Sequence, residues 1–144
     1  SLLTFLYNIM ALLLTHALKN PDGFKDWFWV SRHPDLTIKM ILDYPATPWI
    51  WSMVSCNKSI SMGDIIDNDT LPWDWPSVSL NPNWTSAMLQ RYPDKPWYFA
   101  ILGMKSTITV KDIMDRRELK DFVMIKRKRD LEYSSFKSEL YGFP

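Results

Sequence analysis

Apolar and polar positions along this chain recur with a fixed spacing of 24 residues. Aligned on that spacing, residues 24–47, 48–71, 72–95 and 96–119 put like residues at like positions. Position 4 of the unit is aromatic throughout: Trp27, Trp51, Trp75 and Phe99. Position 7 is aliphatic (Val30, Val54, Val78, Leu102), and so is position 18 (Ile41, Ile65, Leu89, Ile113). Position 8 is small (Ser31, Ser55, Ser79, Gly103) and position 13 is apolar (Leu36, Ile60, Trp84, Ile108). Position 14 always carries a hydroxyl: Thr37, Ser61, Thr85 and Thr109. A fixed period in this range marks a repeat array.

The second half of each unit predicts a short helix opening at position 14. A Ser or Thr there accepts from an unpaired amide of the first turn. The apolar pair at positions 13 and 18 has the spacing of a hydrophobic staple. Asp64 and Asp112 stand three residues after their caps, where a carboxylate suits the positive end of a helix. The first half predicts another short helix, with Pro48, Pro72 and Pro96 at its first position, where proline is favoured. Asn81-Pro82-Asn83 and His33-Pro34-Asp35 supply turn chemistry between the two. Each unit then reads as a helix–turn–helix, and helices this short draw their stability from stacked neighbours. A β-solenoid or leucine-rich repeat shares the period, but the chain lacks both period-2 alternation and an L-x-x-L-x-L-x-x-N frame.

The expected fold is therefore all-α: a solenoid-like array of about four to five 24-residue repeats with terminal caps. Residues 1–23 read as a degenerate first repeat or cap. Continuing the period backwards puts Leu3, Leu6 and Leu12 at positions 4, 7 and 13, and aligns Pro21-Asp22 with Pro93-Asp94. Leu2 to Leu18 is also the most hydrophobic run in the chain, and the competing reading is insertion into a membrane. It is at the short limit for spanning, contains Asn8 and His16, and has neither a basic leader nor a small-residue cleavage site. After residue 119 the register fails, because Lys126 and Arg127 fall at positions 7 and 8. Residues 120–144 read as a charged cap helix and tail.

The fullest copy, with Pro72, Trp73, Asp74, Trp75, Ser79, Asn81, Pro82, Asn83, Thr85, Pro93, Asp94 and Lys95, carries a P-W-D-W…S-x-N-P-N-x-T…P-D-K pattern. That pattern resembles the short Trp/Asn-Pro-Asn repeats of large DNA viruses (mimivirus-, marseillevirus- and iridovirus-like) and extends over about two thirds of the chain. Cys56-Asn57-Lys58-Ser59 departs from it in lacking the prolines of the turn, and Lys105-Ser106-Thr107 has lost Asn-Pro-Asn altogether. The resemblance implies a virion or minor capsid component, located in the virion or at a cytoplasmic assembly site and not secreted. It implies no activity.

Composition adds little chemistry. A net charge of +1 argues against a strongly electrostatic partner. One cysteine, Cys56, rules out an internal disulfide and reads as buried packing. No nucleophile elbow, phosphate loop, dinucleotide fingerprint or paired CxxC is present. Asp64, Asp67, Asp69 and Asp74 read as a solvated loop without an EF-hand frame, and His16 and His33 lack metal-ligand spacing. Three glycosylation sequons, at Asn57, Asn68 and Asn83, read as coincidental. The expectation is a non-catalytic interaction or structural protein with no catalytic residue, metal, cofactor or small-molecule substrate. Its partners are other proteins, in a larger assembly or a homo-oligomer. Leu2, Leu3, Phe5, Leu6 and Leu13 form the candidate interface, together with the position-2 residues Trp49, Trp73 and Trp97. The alternative is a nucleic-acid or membrane-surface adaptor working through Lys126, Arg127, Lys128 and Arg129.

Overall fold

Among the described residues every regular element is helical, so the protein is all-α. The computed structural model describes residues 1–117 together with Leu119 and Lys128. α1 spans Leu2–Lys19 and a 3-10 turn follows at Pro21–Gly23. Short helices then come in pairs: α2 (Trp27–Ser31) and α3 (Ile38–Asp43), then α4 (Trp51–Ser55) and α5 (Met62–Asp67). The third unit holds α6 (Trp75–Leu80) and α7 (Ala87–Arg91), and the fourth holds α8 (Phe99–Leu102) and α9 (Val110–Asp115). The chain divides into two compact units, Ser1–Trp84 and Thr85–Pro144, a division that falls between α6 and α7.

Local chemistry explains each second helix. Thr37 accepts from the Met40 amide at 3.2 Å. Ser61 and Asp64 close a reciprocal capping box, as do Thr109 and Asp112. Thr85 departs from the expected cap: Ser86 takes the cap position in a helical conformation, with no side-chain bond. Thr85 instead accepts the Met88 amide with its main-chain carbonyl at 3.1 Å. The staple positions Leu36, Ile60, Ile41 and Ile65 are buried.

The first helices begin later than the prolines predict. They open at position 4, capped at position 3 by the side chains of Asp26 and Asp74. Pro48, Pro72 and Pro96 lie outside, at the centre of tight turns. Trp49, Trp73 and Trp97 each donate an amide across the proline at 2.8 Å, to Thr47, Leu71 and Lys95. The fixed φ of proline suits such an inverse γ-turn, which removes it from the helix.

Residues 1–23, read as a degenerate first repeat or cap, hold one continuous 18-residue helix, α1. The tail of the unit is retained: Ala17 is buried at position 18, and the Gly23 amide donates to the Asn20 carbonyl at 3.2 Å. The same turn recurs from Thr47 to Tyr44 and from Leu71 to Asn68, each at 3.1 Å. The break in the middle is lost because Ile9-Met10-Ala11 stands where Asn-Pro-Asn would interrupt the helix, and Leu13 replaces the capping hydroxyl.

Candidate functional site

The most distinctive chemistry lies at position 10, where the sequence offers His33, Asn57, Asn81 and Lys105. In all four units the amide of this residue donates to the position-7 carbonyl, of Val30, Val54, Val78 or Leu102, at 3.0–3.2 Å. Its own carbonyl accepts from position 13, three residues on, at 3.1–3.3 Å. Within Ser1–Trp84 the side chains then join one repeat to the next. Asn57 donates Nδ2 to the Ser31 carbonyl at 3.2 Å and to the His33 carbonyl at 3.0 Å. Asn81 donates Nδ2 to the carbonyls of Ser55, Asn57 and Ile60 at 3.0–3.1 Å.

The other half of each amide folds its own turn. Asn57 Oδ1 accepts from Ser59, and Asn81 Oδ1 accepts the Asn83 amide at 2.8 Å. Serine at position 8 adds a second tie. Ser31 Oγ accepts the Ile50 amide and Ser55 Oγ accepts the Asp74 amide, both at 2.9 Å. All four of these side chains are buried, so the ladder pairs polar groups inside the packed core. It also engages two of the sequon nitrogens, Asn57 and Asn83, while the third, on Asn68, donates to the Asp64 carbonyl.

The tryptophans sit otherwise than expected. Trp49, Trp73 and Trp97, read as candidate interface, are only 8%, 5% and 5% exposed. Each indole donates Nε1 five residues back, to the carbonyl of Tyr44, Asn68 or Tyr92, closing the end of the preceding second helix. An apolar ring with one polar edge suits a site where helix carbonyls end inside a core. Of the position-4 residues read as core, Trp75 is buried, and Trp27, Trp51 and Phe99 are half-buried. Trp27 meets Trp49 edge-on at 6.5 Å between ring centres, and Trp51 meets Trp73 at 5.3 Å. The aliphatic row is buried as read: Val30, Val54, Val78, Leu102, Ile41, Ile65 and Leu89. Ile113 lies in α9, and its side chain is outside what the structure describes.

The remaining candidates separate cleanly. Leu2, Leu3, Phe5, Leu6 and Leu13 are exposed along α1, Leu3 reaching 79%. Lys126, Arg127 and Arg129 lie outside the described residues, while Lys128 is helical and exposed. Among the described residues no group of three His, Cys, Asp or Glu side chains is placed to hold a metal. Cys56 is half-buried, and burial pushes its thiol up from the usual value. Burial likewise lowers Lys105, which stands where the other units have Asn or His.

Sequence reasoning treated His33 and Asn81 as turn residues and missed position 10 as a junction. The legible signal was the pairing of Ser at position 8 with Asn or His two residues later, polar groups recurring on an otherwise apolar face. No protein-family model, curated protein or solved structure matches the chain.

Proposed function

We propose that this chain is a non-catalytic interaction or structural protein, a solenoid-like stack of 24-residue helix pairs that assembles with other proteins. The observation that carries the reading is the buried Asn–Ser ladder, with Asn57 and Asn81 at successive junctions. Such polar groups join units and hold a rigid surface; they are not arranged as a reactive centre. On the repeat resemblance, the setting is a virion or assembly site of a large DNA virus.

α1 supplies the contact. Leu2, Leu3, Phe5, Leu6 and Leu13 leave a continuous apolar surface with no charged side chain before Lys19. Surfaces of this kind mark interfaces more often than bare exterior. Sedimentation of the purified full chain tests the reading. Self-association is expected, and the double change Leu6→Lys and Leu13→Lys should weaken it. A clean monomer at tens of micromolar, without detergent or partner, overturns it. Mass spectrometry of purified particles tests the setting, and absence of the chain from them removes it. Salt-dependent nucleic-acid binding, lost on neutralising residues 126–129, would favour the adaptor reading instead.

A further inference from the structure

His33 occupies the same place as Asn57 and Asn81 and makes only half of their bonds. Its Nδ1 accepts the Asp35 amide at 3.1 Å, as Asn57 Oδ1 accepts the Ser59 amide at 3.0 Å. The proton of a neutral imidazole bonded in this way lies on Nε2. That nitrogen is buried with no hydrogen-bond acceptor, on a residue only 1% exposed. The reason lies one period upstream. The carbonyls that would serve it belong to Tyr7 and Ile9, inside the continuous helix α1.

First helices contact one another from unit to unit, α2 with α4 and α4 with α6. No short first helix precedes α2. Beside it is an open groove of about 340 Å³, bordered by Phe28, Trp29, Arg32 and His33, with Met10 of α1 along one side. We propose that this groove docks a short helix from another polypeptide, one ending in Ser or Thr followed by open main-chain carbonyls. His33 Nε2 donates to a carbonyl of that end, as Asn57 and Asn81 do in the formed junctions. The Asp26 amide takes the incoming hydroxyl, as the Ile50 and Asp74 amides take those of Ser31 and Ser55.

A helix carboxy-terminus carries a partial negative charge; both Arg32 and the Asp26 carboxylate border the groove, the latter already accepting the Trp29 amide. Lys25 stands where the later units have a tryptophan. Phe28, exposed in the isolated chain, supplies apolar contact. The proposal rests on the interaction reading above and names the surface and chemistry that would carry one such contact.

A fluorescein-labelled peptide of residues 71–84, which contains the α6 sequence, Ser79 and the Asn81 carbonyl, is titrated into the full chain and followed by anisotropy. Saturable binding is expected, with a dissociation constant on the order of 100 μM, because so short a helix must order as it binds. Ser79→Ala in the peptide should weaken binding about ten-fold through loss of one buried bond. In the chain, Phe28→Asp and His33→Leu abolish binding, and His33→Asn preserves it by restoring both acceptor and donor. Circular dichroism confirms that each variant remains folded, and exposed Phe28 provides a variant whose folding is not at issue. Absence of saturable binding overturns the proposal, as does binding that survives both Phe28→Asp and His33→Leu. If the chain self-associates and the peptide does not bind, the groove assignment fails alone and the interaction reading stands.

Discussion

Two parts of the compact unit Ser1–Trp84 solve the same problem in opposite ways. Residues 24–84 break each helix after five or six residues and must therefore satisfy many main-chain ends inside a packed core. They do so with side chains at fixed positions: Asn57, Asn81, Ser31 and Ser55 between units, and Trp49 and Trp73 at helix ends. α1 keeps its backbone bonds within one helix and needs no such partners. Its side chains are left outward, and only Leu14, Ala17 and Leu18 are buried. Short helices thus make an apolar core threaded by sequence-specific polar ties, while the long helix makes an apolar exterior with few such ties.

The comparison is broken most severely by Trp73→Ala. It removes a buried ring and the donor to the Asn68 carbonyl, and should cost ~3–5 kcal/mol in urea unfolding. Trp73→Phe should recover most of the packing, so its residual loss isolates the indole bond. Next comes Asn81→Leu, which keeps the branched shape and removes the donor shared by the carbonyls of Ser55, Asn57 and Ile60, the last two of which retain the Ile60 amide and Asn83 Nδ2. A loss of ~2–4 kcal/mol is expected. A loss below about 0.5 kcal/mol would mean that packing alone joins the units.

The caps give a finer contrast. Ser61→Ala and Thr109→Ala should each cost about 1 kcal/mol, whereas Thr85→Ala, which loses no side-chain cap, should stay within about 0.5 kcal/mol. On α1, Leu6→Lys should leave stability within about 0.5 kcal/mol while changing sedimentation, because its side chain is exposed.

The smallest expected effect is a pH dependence. Burial lowers the folded pKa of His33 below its ordinary value near 6.5, against an opposing pull from Asp35. The unfolded chain therefore binds the proton more readily, and stability rises with pH across that window. This contribution is complete above about pH 6.5 and is lost as pH falls toward the lower folded value. His33→Asn should flatten the profile between pH 7 and 5, where few other groups titrate. An unchanged profile would show that His33 is not linked to unfolding.

The sequence by itself determined the period, the helical class and most of the caps. These are local properties: Ser61 and Asp64, or Thr109 and Asp112, lie three residues apart and find each other within one helical turn. It did not determine where the first helices begin. Proline is as compatible with a γ-turn as with a helix start, and all four first helices open at position 4 whether the cap is Asp26 or Asp74, or Ile50 or Tyr98 without a side-chain bond. Nor did it distinguish the two tryptophan rows. Position 2 became the deeper one only because the chain turns back and presents a helix-end carbonyl five residues upstream. The role of position 10 lies furthest from the sequence. Asn81 looks like a turn residue until the preceding repeat places the carbonyls of Ser55, Asn57 and Ile60 against it. Local bonds follow from spacing along the chain, whereas a donor shared among carbonyls 21 to 26 residues away exists only after the units have packed.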